Sequence, residues 1–399
     1  MNPVIEQEEQ YCAHNYHPLP VVLVKGEGVY LWDDGGNCYL DMMSAYSAVS
    51  HGHCHPRLVQ ALTTQAAQLA VVSRAFHSDQ LAPLLQKVCE MTGQEMALPM
   101  NTGAEAVETA LKAARKWAYK VKGVAADQAG IIVCDGNFHG RTISIVAFSS
   151  EPQYRDGFGP FPAGFSSIPF GDSDALEAAI TPNTAAFLVE PIQGEGGIIM
   201  PPPGYLKRCE QICRDNNVLL ICDEIQTGLG RTGALLASDH DAVKPDGLIL
   251  GKALGGGLLP VSMFLARREV MAVFTPGDHG STFGGNPLAA AVALEALRVL
   301  EEEGLVEASD QMGAYFISRL VELNSPFIKE IRGKGLLIAV EFHANKVTAR
   351  TVCERLMARG VLSKETHDTV VRFAPPLVIR REQIDMAVEA LAEVLAELT

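Results

Sequence analysis

Four short, continuous apolar runs constrain the fold of this chain more than any other feature: IIVC at 131–134, AAFLV at 185–189, VLLIC at 218–222 and GLIL at 247–250. None shows the apolar/polar alternation of a strand with one wet face, and segments of helical period separate them. Strands apolar on both sides belong inside a parallel sheet, where crossover helices cover both faces. The expected fold class is therefore α/β: a large domain with a mostly parallel sheet flanked by helices.

Each run ends on polar residues. Asp135-Gly136-Asn137 follows the first, Glu190-Pro191 the second, Asp223-Glu224 the third and Gly251-Lys252 the fourth. Ligands of open α/β sheets bind beyond the carboxyl ends of the strands, so four such clusters are expected to converge on one crevice.

The flanking segments read differently. Residues 1–45 form a leading arm, with turn signals at Lys25-Gly26-Glu27-Gly28 and Asp34-Gly35-Gly36 between short strands. The large domain is expected over 46–287. From 288 a smaller α+β domain follows: a long helix over about 288–303, another to about 323, strands at 335–342 and 370–379, and a closing helix from Arg381.

With 399 residues, 48% of them apolar, the chain can bury a sizeable core. A net charge of −15 lacks the basic footprint that nucleic-acid binding needs. No apolar run reaches the length of a membrane span, and the acidic start MNPVIEQEEQ resembles no signal or transit peptide, so a cytoplasmic location is expected. Nine scattered cysteines without a CxxC pair read as buried, reduced thiols. HGHCHP at 51–56 packs three histidines and a cysteine together, but alternate loop residues rarely close a tetrahedral site, so it is read as loop structure and no metal is expected.

Lys252 lies between a buried strand and three glycines, in GLILGKALGGGLLP. Lost hydration there lowers an amine's pKa and leaves it nucleophilic, the state that Schiff-base chemistry requires. By itself a lysine at a strand end is more often a surface residue. Asp223 ends another buried run 29 positions earlier, where a carboxylate needs a positive partner such as a pyridinium nitrogen, or else a helix to cap. In PMNTGAEAVETALKAARKWA the helical period starts near Gly103. Asn101 or Thr102 can cap this helix, and the Gly103 and Ala104 amides can then receive an anion. In DGNFHGRT, Phe138 can stack on a planar ring, His139 can add edge contacts and Arg141 can fork onto a carboxylate. Ser281-Thr282, in the Gly-rich GDHGSTFGGNP, offer hydroxyls to phosphate oxygens, although such loops are commonly plain turns.

The run DEIQTGLGRTG, followed at this spacing by GKALGGG, resembles the class III aminotransferases of pyridoxal-phosphate (PLP) fold type I. AHNYHPLP, SAYSAVSHGHCHP, GNFHGRT, VEPIQGEGG, RGKGLL and VRFAPPLVI extend the likeness from near residue 13 to the last helix, and toward the members of the class that use ornithine. The resemblance implies pyridoxal 5'-phosphate as cofactor, carried by Lys252 as a Schiff base. Asp223 would pair with its ring nitrogen, Gln226 approach its ring hydroxyl and Phe138 stack on the ring. Gly103, Ala104 and Thr102 would hold the phosphate, while Thr282 with Ser281 would reach it from a partner subunit, making the active form a homodimer.

For substrates the resemblance implies L-ornithine as donor of its δ-amino group and 2-oxoglutarate as acceptor, which becomes glutamate. Arg141 would hold the carboxylate farthest from the reacting carbon, and Arg372 the α-carboxylate of 2-oxoglutarate or glutamate. Glu195 would mask Arg372 when ornithine binds, and Tyr16 and Tyr46 would recognise ornithine's α-amino end. One departure stands out: His139 occupies a position where some ornithine-using members carry tryptophan. Alternatives are an acetylornithine or GABA aminotransferase, a racemase or aminomutase on the same fold, or a non-catalytic relative.

Overall fold

The computed structural model describes residues 2–398. Strands β1 (Leu23–Glu27), β2 (Tyr30–Asp33) and β3 (Cys38–Asp41) form the antiparallel meander that the early turn signals foretell. Seven further strands build the central sheet: β4 (Met96–Met100), β5 (Gly130–Cys134), β6 (Phe165–Ile168), β7 (Thr184–Val189), β8 (Leu219–Asp223), β9 (Gly247–Leu250) and β10 (Ser262–Ala266). Their order is β4-β10-β9-β8-β7-β5-β6, and only β10 runs antiparallel to its neighbours. After two helices, Pro287–Glu302 and Leu305–Glu322, come β11 (Ile328–Lys334), β12 (Leu337–Phe342), β13 (Val361–Leu362), β14 (Lys364–Thr366) and β15 (Val370–Phe373), and the helix Arg381–Ala396 closes the chain. β11, β12, β15 and β14 make an antiparallel sheet, whereas β13 lies parallel to β3 and so ties the leading segment to the last third of the chain.

The four apolar runs are β5, β7, β8 and β9, and their two-sided burial is visible residue by residue. Leu220 and Cys222 point into one core layer with Leu206 and Cys209, while Leu219 and Ile221 pack on the other side with Val107, Ala110 and Ala114 of the helix Gly103–Trp117. Each fully buried aliphatic side chain of this kind contributes about 1.5–3 kcal/mol relative to exposure.

Three central strands carried no comparable sequence signal. The edge strands are FSSI, with exposed serines, and MALPM, interrupted by Pro99; β10 is apolar but antiparallel, so no polar cluster at its carboxyl end marks the crevice. The strand expected over 370–379 stops at Phe373, because Pro375 and Pro376 have no N–H to continue a ladder. Of the nine cysteines, expected to be buried, Cys134, Cys209, Cys213, Cys222 and Cys353 are, but Cys12, Cys38 and Cys54 are exposed.

Between β3 and the first long helix the chain makes a left-handed turn of four consecutive non-glycine residues, Ser44, Ala45, Tyr46 and Ser47, with φ of 45°, 46°, 60° and 73°. L-residues in that region cost about 1–2 kcal/mol each, so the surroundings must hold the turn. Asp41 accepts the Met43 and Ser44 amides, both at 2.9 Å. The HGHCHP segment follows, and its histidines part company. His51 Nε2 meets the Ala296 carbonyl at 3.0 Å, His53 Nε2 meets Asp41 at 2.7 Å and His55 Nε2 meets Glu303 at 3.2 Å.

Candidate functional site

A cavity of about 220 Å³ opens beyond the carboxyl ends of β5, β7, β8 and β9. Phe138, His139, Glu190, Asp223, Gln226 and Lys252 line it, together with Gly103 and Ala104 at the start of the helix Gly103–Trp117. Residues from all four strand ends therefore meet in one place, as the positions of the polar clusters imply.

The helix start is shaped by a capping box. The Thr102 hydroxyl accepts the Glu105 amide at 3.3 Å, and the Glu105 carboxylate accepts the Thr102 amide at 2.8 Å. The first intrahelical bond belongs to Ala106, which leaves the Gly103 and Ala104 amides at the positive end of the helix, facing the cavity. Gly103 sits at a close approach: a Cβ there would lie 2.9 Å from Ile225 Cδ1 and would push that side chain aside. Thr102 itself does not line the cavity, since its hydroxyl serves the cap.

Asp223 is buried, and its carboxylate is engaged on both oxygens: Oδ2 with His139 Nδ1 at 2.6 Å, Oδ1 with the Ile225 amide at 3.1 Å. The sequence pointed to a pyridinium nitrogen or a helix cap as the partner of Asp223; within the chain the carboxylate instead meets His139, which was expected only to add edge contacts. Burial lowers the pKa of His139, but the bond to Asp223 and the nearby carboxylates outweigh this and hold it above the usual histidine value. Its other nitrogen, Nε2, is buried without a hydrogen-bond partner among the described residues. Glu190, absent from the expected site residues although it closes a buried run, sits fully inside. Burial pushes its carboxyl up to about 7, opposed by His139 and by the Phe138 and Gly194 amides that it accepts. A glutamate directly following a two-sided apolar strand was the signal that could have found it.

Lys252 follows β9 in a left-handed backbone conformation, φ 44°, which turns its side chain into the cavity. Burial lowers the amine's pKa, with Glu195 and Asp223 pulling the other way. On the same side Arg372, from β15, donates to Glu195 at 2.6 Å. Burial alone would raise the Glu195 carboxyl, but Arg372 and Lys252 hold it below its ordinary value. Gln226 reaches under Gly194, where a Cβ would fall 1.6 Å from its Oε1, so a larger residue before Glu195 would displace the Gln226 side chain. The Tyr46 ring centre lies 5.3 Å from the Arg372 guanidinium carbon.

The remaining expected residues stand apart. Arg141 is exposed and lies 3.9 Å over the Tyr154 ring, with Phe138 at 5.6 Å. Tyr16 is 76% exposed on the leading arm. Ser281 receives a hydrogen bond from Asn101 at 2.8 Å, and neither it nor the exposed Thr282 lines the cavity of its own chain.

A planar, phosphorylated pyridine aldehyde fits the residues present: helix-start amides at one end, an amine at the other, an aromatic on a wall and a buried carboxylate held by histidine. Residues 11–395 match the class III aminotransferase family, and the chain belongs to it. The class is PLP-dependent. The chain is 59% identical to the ornithine aminotransferase of Brevibacillus brevis, over 99% of this chain and 98% of that one. The solved ornithine aminotransferase of Toxoplasma gondii, whose active site holds PLP at partial occupancy, superposes with a TM-score of 0.97 at 49% identity, covering 99% of this chain and 94% of that one. The acetylornithine aminotransferase of Elizabethkingia anophelis gives 0.90 at 47% identity, covering 99% and 98%.

Proposed function

We propose that this enzyme is an ornithine δ-aminotransferase, moving the δ-amino group of L-ornithine to 2-oxoglutarate in two half-reactions. The products are glutamate 5-semialdehyde, which cyclises to pyrroline-5-carboxylate, and glutamate. The observation that carries the reading is the Glu195–Arg372 pair, 2.6 Å apart and near enough to Lys252 to act on its charge, with Tyr46 against it. A guanidinium buried this deeply would be costly without a counter-charge. Paired, it leaves room for a substrate whose reacting end has no carboxylate, such as the δ-amine of ornithine. Opened, it offers a fork to the α-carboxylate of 2-oxoglutarate or glutamate.

PLP, when bound, supplies an electron sink for the carbon that bears the amine. Lys252 would hold it, Asp223 with His139 would serve its ring nitrogen, Gln226 its ring hydroxyl and Phe138 its ring. Gly103 and Ala104 would hold its phosphate at the helix start, with Ser281 and Thr282 supplied by the other subunit of a homodimer. The placement of those two residues outside their own cavity supports the dimer, as do the exposed Phe283, Ile143 and Phe76. Lys252 Nζ, its proton affinity lowered by burial, takes the proton from the substrate carbon that carries the amine. Arg141 holds the distal carboxylate, and Tyr16 and Tyr46 the α-amino end of ornithine.

We further read residues 1–45, 46–287 and 288–399 as leading segment, large domain and small domain. Among the described residues no helix is long and apolar enough to cross a membrane, in keeping with a cytoplasmic location. Ornithine, N-acetylornithine and GABA, each added alone to the holoenzyme, test the reading. Ornithine is expected to convert the cofactor's visible absorption to that of its aminated form at the lowest concentration. A preference for N-acetylornithine overturns it.

A further inference from the structure

Arg231 is fully buried, yet none of its hydrogen bonds goes to a carboxylate. Its Nη1 donates to the carbonyls of Leu336 (3.0 Å) and Pro375 (2.5 Å), and its Nη2 to the hydroxyls of Ser44 (3.2 Å) and Ser50 (3.0 Å). A guanidinium can only donate, so the direction of both hydroxyls follows. Ser44 Oγ passes its own proton to the Ala374 carbonyl at 2.6 Å, and Ser50 Oγ passes its proton to the Ser47 carbonyl at 3.0 Å.

These contacts have a pattern. Ser44 opens the left-handed turn and the Ser47 carbonyl ends it, so one cation grips both ends of a strained segment whose third residue is Tyr46. Ala374 and Pro375 directly follow β15, the strand that carries Arg372. The same guanidinium therefore fastens the Tyr46 turn to the end of the Arg372 strand. Glycine could adopt the turn freely, but serine, alanine and tyrosine need such a restraint.

We propose that Arg231 is a positioning residue that, through Ser44 and Ser50, sets the register of Tyr46 against Arg372 and thereby tunes recognition of the amine donor. The proposal rests on the ornithine reading of the site for its substrate, but the clamp itself does not depend on it.

Ser50→Ala removes one grip while leaving the buried charge three acceptors. The expected result is that the ornithine concentration giving half-maximal half-reaction rate rises about fivefold, as for loss of one ordinary hydrogen bond. The limiting rate and the holoenzyme's visible absorption are expected to stay unchanged. In a Tyr46→Phe background the same substitution is expected to change that concentration by less than about twofold, since the hydroxyl being aimed is gone. Amide exchange over residues 44–50 is expected to quicken in Ser50→Ala, with exchange around Lys252 unaltered. An equal effect of Ser50→Ala in the wild-type and Tyr46→Phe backgrounds, or unchanged exchange in the turn, would overturn the proposal. If the wild type fails to convert with ornithine, the functional reading falls, and the exchange measurement still decides the clamp. Arg231→Lys, which keeps the charge but cannot span the four acceptors, is expected to show the same exchange signature more strongly.

Discussion

The two ends of the cavity are built by different means. At the inner end Asp223, Glu190, Lys252 and Phe138 stand on or just after adjacent strands of one sheet, and the helix Gly103–Trp117 packs against that sheet. At the proposed outer end Glu195 comes from a loop, Arg372 from another sheet and Tyr46 from a strained turn, while Tyr16 and Arg141, assigned to it under the proposed function, are exposed and do not line the cavity. Geometry fixed by sheet hydrogen bonding serves chemistry common to a whole class. Geometry assembled from distant segments is proposed to serve the choice of substrate, and it rests on a few cross-links such as those of Arg231. The comparison predicts that damage at the inner end stops both half-reactions alike, whereas damage at the outer end separates them.

The largest effect is expected from Lys252→Ala, which under the proposed function removes both the anchoring amine and the proton acceptor. Both half-reactions should fall by at least about 10⁴-fold, the upper range for loss of a positioned base. Stopped-flow absorbance with each substrate measures it, and an unequal loss would break the comparison. Asp223→Asn keeps the shape and removes the carboxylate charge proposed to face the ring nitrogen. A loss of about 10²–10³-fold is expected in both half-reactions, in line with the removal of one preorganised electrostatic contact.

Asp223 and Lys252 were legible because each follows a buried run, so one-dimensional spacing placed them in one crevice; Glu190 follows such a run too but was not among the expected site residues. Their bonding was less so. That His139 turns its Nδ1 to Asp223, and that Glu190 lies beside both, depends on how neighbouring strands are ordered, β8-β7-β5, and sequence spacing carries no such order. Apart from Arg141, read from DGNFHGRT as a carboxylate fork, the outer end was accessible only through family resemblance. Residues 16, 46, 141, 195 and 372 share no periodicity, and the left-handed turn at Ser44–Ser47 contains none of the glycines that would announce it. Arg231 read as one letter of a Gly-rich motif, and its role emerges only once Ser44, Ser50 and Pro375 are seen around it.

A moderate effect is expected from Glu195→Gln. Without the masking carboxylate Arg372 stays open, so the ratio of glutamate to ornithine half-reaction efficiency should rise about tenfold, the worth of one charge-assisted hydrogen bond. An unchanged ratio in single-turnover assays would show that the pair is only structural.

The smallest effect concerns Glu190. Its carboxyl titrates near 7 in the folded protein, above the ordinary glutamate value, so the folded state binds the extra proton. Stability from this group is complete below the unfolded value and is lost as pH rises through about 7. Glu190→Gln should flatten that fall in apoenzyme melting temperature between pH 5 and pH 8, whatever its effect on baseline stability. An identical pH slope in both proteins would remove Glu190 as the titrating group.

The most direct test of the two-ended site is Arg372→Ala followed through each half-reaction separately. The 2-oxoglutarate half-reaction is expected to fall about 100-fold, as for loss of a buried, charge-assisted carboxylate contact, while the ornithine half-reaction falls by less than about tenfold. Equal losses in the two would contradict the account, because Arg372 would then serve the cavity as a whole rather than the choice between its two substrates.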